Sequence, residues 1–258
     1  VRYSSSLYEI GKPKKGETIF ISAASGAVGS IVGQLAKREG LRVIGSVGSD
    51  EKVAYIKKEL KFDEAFNYKS ISTDEALRKY APDGIDIYYD NVGGETLDAA
   101  LSHGNTNARF IECGMISQYN LADRKDAYPI RNLWYTVPRS YTIRVSYSSF
   151  PHVITPSPTS QKSQCVRMTP KCWDYRMGKL TSFGKTFLTF LLQSQGFVVG
   201  QADFGPKYYQ EHQEKVSKWL ADKELIYRES ISDGMDNAID GLLGLFHGRN
   251  FGKAVLKV

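Results

Sequence analysis

Directly after a short β-branched run the chain reads Ala24, Ser25, Gly26, Ala27, Val28, Gly29. Glycines at this spacing, at the start of a helical stretch, suit one kind of chemistry. Gly26 lets the backbone approach a pyrophosphate, Gly29 lets the helix pack close on its strand, and the helix N-terminus faces the negative charge. The next strand ends Gly45, Ser46, Val47, Gly48, Ser49, Asp50, Glu51, Lys52. Small residues leave space at its tip, and Lys52 is long enough to reach a ribose 2′-phosphate. Asp50 reads as the N-cap of the following helix in preference to a ribose-binding acid. A later strand ends Tyr89, Asp90, Asn91, Val92, Gly93, Gly94, where two glycines allow close approach of a ribose or nicotinamide. The strand after that ends Cys113, Gly114, Met115, Ile116, Ser117, Gln118, Tyr119. Tyr119 therefore stands near the same crevice, as a donor of a hydrogen bond or a proton.

These positions need strands and helices in strict alternation, and the first half of the chain has that pattern. Strands are predicted over 17–22, 42–47, 64–67, 85–90 and 108–113. Helices are predicted over 28–39, 50–60, 73–80 and 95–102. Strands separated by helices of this length imply a parallel sheet with right-handed crossovers. The expected fold class is α/β, a doubly wound parallel sheet of the Rossmann type. Further on, a strand is predicted over 196–200, helices over 206–221 and 235–247, and a terminal strand over 253–258.

Other chemistries find less support. Hydrophobic residues make up 41% and charged residues 24%, values of an ordinary globular chain. The net charge of +6 sits in residues 144–194, which hold seven bases and one acid; the remainder balances. The basic excess is thus local, and nucleic-acid binding is not expected. No apolar run is long enough to span a bilayer, so no membrane partner is expected. The first residues lack a signal-peptide core and an initiator Met; the chain reads as starting mid-protein, with a cytoplasmic location. Three cysteines exclude a disulfide scaffold. Cys165 and Cys172, with His152, have a spacing that fits no common zinc pattern. Tyr175 and Lys179 form a Tyr-x-x-x-Lys of the short-chain reductase type, but the glycine spacing is not that family's, and the pair reads as chance.

Seven segments, AASGAVGS, GSDEKVAYIKK, AFNYK, YYDNVGG, CGMISQYN, QGFVVG and GLFHGRNFGK, occur in this order. Together they resemble the zinc-independent branch of the medium-chain dehydrogenase/reductases. Within it they resemble the NADPH-dependent alkenal double-bond reductases and the leukotriene-B dehydrogenase/prostaglandin reductases. The resemblance covers residues 7–143 and 195–258. It implies NADP(H) as cofactor, no metal, and an enone or enal as the small-molecule substrate, and it allows a homodimer. It implies pyrophosphate contact by Gly26, Ala27, Val28 and Gly29, and 2′-phosphate recognition by Lys52 and Tyr68. It places Asn91, Cys113, Gly114, Met115, Ile116, Ser117, Gln118, Tyr119, Phe197, Val198, Val199 and Asn250 around the ribose and nicotinamide. Tyr119 is the proton donor it implies.

Two departures from that family shape the expected organisation. An upstream catalytic domain of the family has no counterpart here. Residues 144–194 also have none: they carry eight Ser, six Thr and four Pro, and no Glu. The expected division is therefore a Rossmann domain over 1–143 and 195–224, an atypical disordered insertion over 144–194, and residues 225–258 as the segment that would close the missing domain. Translated intron sequence is a second reading of 144–194, with Val145 and Ser146 at one margin and Gln193 at the other. The expected function is that of such an enone or enal reductase, truncated and impaired in this chain, and two alternatives stay open: an NADPH-binding non-enzyme fragment, and a zinc-free quinone or alcohol oxidoreductase.

Overall fold

The structure is a computed structural model of the chain and describes residues 5–146, 194–197 and 205–258. Strand β1 (Thr18–Ile21) leads through the glycine turn into helix α1 (Gly29–Arg38). Then follow β2 (Arg42–Val47), α2 (Asp50–Lys58), β3 (Glu64–Asn67), α3 (Thr73–Tyr80), β4 (Ile85–Asp90), α4 (Gly94–His103) and β5 (Gly104–Glu112). Strands β6 (Thr142–Ser146) and β7 (Ser194–Phe197) complete one sheet. Its order is β3-β2-β1-β4-β5-β6-β7. Every adjacent pair in it is parallel. After it come α5 (Gly205–Ala221), β8 (Glu229–Asp233), α6 (Ala238–Phe246) and β9 (Lys253–Lys257), with β8 and β9 as a separate parallel pair.

The expected doubly wound sheet is therefore what forms, and its strands show why. TIFI and the Ile87–Tyr89 stretch of β4 are apolar on both faces, as strands covered by helices on both sides must be. Ile19, Ile21, Ile87, Tyr89 and Ile111 pack with Val32 and Leu35 of α1 on one face. Phe20, Ile44, Phe66, Tyr88 and Phe110 pack with Ala76, Leu77 and Leu101 on the other. On that second face Phe20 stacks between Phe66 and Tyr88, with centroids 5.9 and 5.1 Å away. Strand order reverses beside β1, where β2 lies on one side and β4 on the other. In such sheets the ligand crevice lies outside the carboxyl ends at that reversal.

Several boundaries differ from expectation. Helix α2 is capped by Ser49, not Asp50: Ser49 has extended backbone and its hydroxyl accepts from the Lys52 N–H at 3.3 Å. Asp50 sits in the first turn, and its carboxylate accepts from Asn67 Nδ2 at 2.9 Å. Strand β6 runs past Ile143 because its ladder with β5 continues through Ile111–Arg144 and Glu112–Val145. Strand β7 starts at Ser194, opposite Ile143. Both margins of the 144–194 segment thus belong to the sheet. The rest of that segment, with His152, Cys165, Cys172, Tyr175 and Lys179, lies outside the described residues. The strand expected over 196–200 is described as far as Phe197. Strand β8 is polar (ESISD), carries little apolar signal, and forms by pairing in register with β9.

Helix α3 starts with a capping box. Ser72 Oγ accepts from Glu75 N at 3.3 Å, and Glu75 Oε2 accepts from Ser72 N at 3.4 Å. Ser72→Ala is expected to lower stability by about 1 kcal/mol. A denaturant midpoint equal to that of the unaltered chain would show that the cap contributes nothing.

The later part of the chain is fastened to α1. Gln34 donates to the Ile226 carbonyl (2.8 Å) and accepts from its N–H (2.7 Å). Leu225 is buried, and Arg38 pairs with Glu224.

Candidate cofactor site

The glycine turn works as its spacing suggests. Gly26 N donates to the Ala23 carbonyl at 3.0 Å, and Ala23 itself sits at φ +49°, in the left-handed region. Helix α1 then starts at Gly29 with no side chain capping it. The Ser30 N–H donates back to the Gly26 carbonyl at 3.0 Å, and the positive end of the helix dipole is left for an anion. A Cβ on Gly29 would lie 2.6 Å from the Ala23 carbonyl oxygen and 2.8 Å from Ala24 Cα. Both obstacles are backbone and cannot swing aside. Gly29→Ala is therefore expected to cost about 1–3 kcal/mol of stability. Equal urea midpoints for variant and parent would contradict the close strand–helix approach.

A second cradle forms where β4 and β5 end. Gly93 (φ +70°) and Gly94 (φ +56°) adopt backbone that L-residues with side chains rarely take. A Cβ on Gly93 would lie 2.8 Å from Met115 Cβ, so the loops after the two strands are in contact. Asn91 joins this corner to β1: its side chain donates to the Ser22 carbonyl at 2.7 Å, and its N–H donates to Ser22 Oγ at 2.8 Å. The Ile116 N–H donates to the Asn91 carbonyl, and Ser117 Oγ and N–H both donate to the Val92 carbonyl. Tyr119 follows the short helix Ile116–Gln118 and is 46% exposed. Its hydroxyl accepts from Met115 N at 3.0 Å, so its own proton is directed elsewhere. Cys113 and Gly114 both donate backbone N–H bonds to the Asp90 carbonyl.

At the β2 tip, Tyr68 is half exposed and lies over Gly48, where a Cβ would come 3.1 Å from its hydroxyl. Lys52 is not extended towards solvent. It is 6% exposed, and its ammonium donates to the carbonyls of Gly248 (2.6 Å) and Asn250 (2.7 Å). Two of its three N–H bonds are thus committed, and the Phe251 ring lies 5.0 Å away. Burial, and then the charge of Lys69, lower its pKa from the usual lysine value. Asn250 in turn donates its side-chain amide to the Gly252 carbonyl at 2.9 Å. Gly252 N donates to the Ser25 carbonyl at 2.7 Å and bridges to Gly26. The loop before β9 is thereby held against the glycine turn.

Gly26 to Gly29, Asn91 and residues 113–119 thus converge at the carboxyl ends of β1, β4 and β5, while Lys52 and Tyr68 mark the β2 end. Phe197 ends β7, and Val198 and Val199 lie outside the described residues. These features fit a dinucleotide: an uncapped helix start behind a tight turn, a buried lysine with one donor remaining, and a second glycine corner. Ser22, Asp90 and Glu112 are structural members of the site that motif reading did not pick out. The signal for Asp90 and Glu112 was an acid at the carboxyl end of each of two strands, IDIYYD and ARFIE. Among the described residues, no group of three or more His, Cys, Asp or Glu is placed to hold a metal ion. No helix there is long and apolar enough to cross a membrane.

Comparison with known proteins bears on the family and the fold. The family described as zinc-binding dehydrogenase matches residues 27–155, half of the chain. The chain is 44% identical to NADP-dependent oxidoreductase RED1 of Cochliobolus heterostrophus, covering 98% of this chain and 57% of that protein. It is 37% identical to a 2-alkenal reductase (NADP(+)-dependent) of Nicotiana tabacum, covering 98% of this chain and 58% of that one. The crystal structure of CurA in complex with NADPH from Vibrio vulnificus superimposes with a TM-score of 0.69 at 33% identity, covering 99% of this chain and 61% of that one. The chain thus spans somewhat over half the length of these relatives. It belongs to the zinc-binding dehydrogenase family of the medium-chain dehydrogenase/reductases, beside the NADP-dependent reductases of that family.

Proposed function

We propose that the protein is an NADPH-dependent reductase of the C=C bond in α,β-unsaturated aldehydes or ketones. The observation that carries this reading is the convergence, at one sheet edge, of an uncapped helix start and a half-exposed tyrosine with a proton to donate. The similarity to the 2-alkenal reductase of Nicotiana tabacum supports the same class. In this reading Gly26, Ala27, Val28 and Gly29 hold the pyrophosphate, and Lys52 and Tyr68 the 2′-phosphate. Asn91, residues 113–119, Phe197, Val198, Val199 and Asn250 surround the ribose and nicotinamide. The division into Rossmann parts (1–143 and 195–224) and a closing segment (225–258) belongs to the same proposal.

When bound, NADPH supplies the hydride that reaches the β-carbon of the substrate. The chain's own residues position and protonate. Tyr119 Oη donates a hydrogen bond where negative charge develops on the substrate carbonyl oxygen. It is also a source of the proton that ends on the α-carbon, with water as the other source. The Met115 N–H bond keeps the Tyr119 ring folded over its own loop, which fixes where that proton is offered. Asn91 and Gly93 keep the two loops at fixed separation.

The test is product analysis of the whole protein with a 2-alkenal and NADPH. The saturated aldehyde is expected, in equal amount to the NADPH consumed. An allylic alcohol as product, or no turnover, would overturn the assignment.

A further inference from the structure

Asp90 and Glu112 close β4 and β5 and are register partners. Partners on adjacent parallel strands face the same side, so two buried carboxyls lie next to each other beneath the crevice. Asp90 Oδ1 accepts four donors: Ser22 Oγ (3.0 Å), Tyr88 Oη (2.7 Å), Val92 N (2.8 Å) and Gly93 N (2.9 Å). Its backbone carbonyl accepts from Cys113 N (2.9 Å) and Gly114 N (3.1 Å). Both crevice loops therefore hang on this residue. Asp90 Oδ2 and both oxygens of Glu112 receive no bond from any other described residue.

Two adjacent buried carboxylates would repel, and would leave three acceptors unmatched. One proton held between them removes the repulsion and leaves a single Glu112 oxygen unmatched. Four donors on a single oxygen mark Asp90 as the acceptor of that proton's bond. Glu112 is the acid: burial, and then the neighbouring Asp90, push its carboxyl well above the usual range. The surrounding elements reinforce this. Cys113, just after β5, also disfavours the Glu112 anion, and Tyr88 on β4 is kept neutral by burial and by Asp90. From β1 comes the Ser22 hydroxyl, from the start of α4 come backbone N–H groups, and β6 pairs Glu112 with Val145.

We propose that Glu112 is a positioning residue of the crevice, a neutral acid whose proton bonds Asp90 Oδ2 and so fixes the residue whose carboxylate holds the Val92–Gly93 turn and whose backbone carbonyl holds Cys113 and Gly114. What those loops bind rests on the cofactor reading above; the stored proton does not. The folded chain keeps this proton at pH values where the unfolded chain has released it. The contribution of Glu112 to stability is therefore fully present below its unfolded pKa and falls as pH rises towards its folded pKa.

The test compares the unaltered chain with Glu112→Gln, whose amide N–H replaces the acid O–H without titrating. Relative to the variant, the unfolding equilibrium constant of the unaltered chain is expected to rise with pH above the usual carboxyl range, by up to about tenfold per pH unit. The variant should bind NADPH within about twofold of the parent. Glu112→Val, which leaves Asp90 Oδ2 bare, is expected to weaken NADPH binding about tenfold and to speed amide exchange at Val92 and Gly93. Parallel stability–pH curves for parent and Glu112→Gln would overturn the proposal, as would unchanged exchange in a folded Glu112→Val. Should Glu112→Val fail to fold, the first comparison decides. Neither the pH curves nor the exchange rates need cofactor, so failure of the unaltered chain to bind NADPH would defeat the cofactor reading alone.

Discussion

Tyr119→Phe is expected to lower enone turnover by the whole protein about a hundredfold while changing the NADPH dissociation constant less than about threefold. A positioned proton donor contributes about that much to a rate, whereas the ring that shapes the crevice is kept. Loss of the hydroxyl also removes the acceptor for Met115 N–H. That N–H lies at an exposed loop where water can replace it, so the structural cost is small. Comparable losses in rate and affinity would reduce Tyr119 to a packing residue. An unchanged rate would remove it from the chemistry.

Lys52→Met is expected to lose most of the preference for NADPH over NADH, a fall of about ten- to a hundredfold in the affinity ratio. One charge-assisted contact with a phosphate contributes about 1.5–3 kcal/mol. The ratio matters more than either affinity, because the proposal gives Lys52 a second role beside its structural one. It also holds the Gly248 and Asn250 carbonyls, so its loss loosens the loop before β9 for both nucleotides alike. NADH binding reports that shared loss, and the ratio isolates the 2′-phosphate. A ratio that survives the substitution would assign 2′-phosphate recognition to other residues.

The glycine turn and the strand ends were legible in the sequence because their requirements are local. A turn that must admit a helix against its own strand needs Gly29 whatever lies elsewhere. What stayed hidden depends on distant pairing. The burial of Lys52 shows only when the chain brings back Gly248, 196 residues later. The pairing of Asp90 with Glu112 depends on the register of β4 on β5, which no local pattern states. Ser49 and Asp50 are both good caps, and only the extended backbone at Ser49 decides between them. Strand β8 has no apolar alternation to announce it and exists through its partner.

The most direct test of the cofactor site is calorimetric titration of the 258-residue chain with NADPH and with NADH in the same buffer. Saturable binding of NADPH at one site is expected, about tenfold or more tighter than NADH, with 2′,5′-ADP displacing it. Equal affinities for the two nucleotides, or no saturable binding of either, would contradict the assignment of the crevice at β1, β2, β4 and β5 to NADP(H).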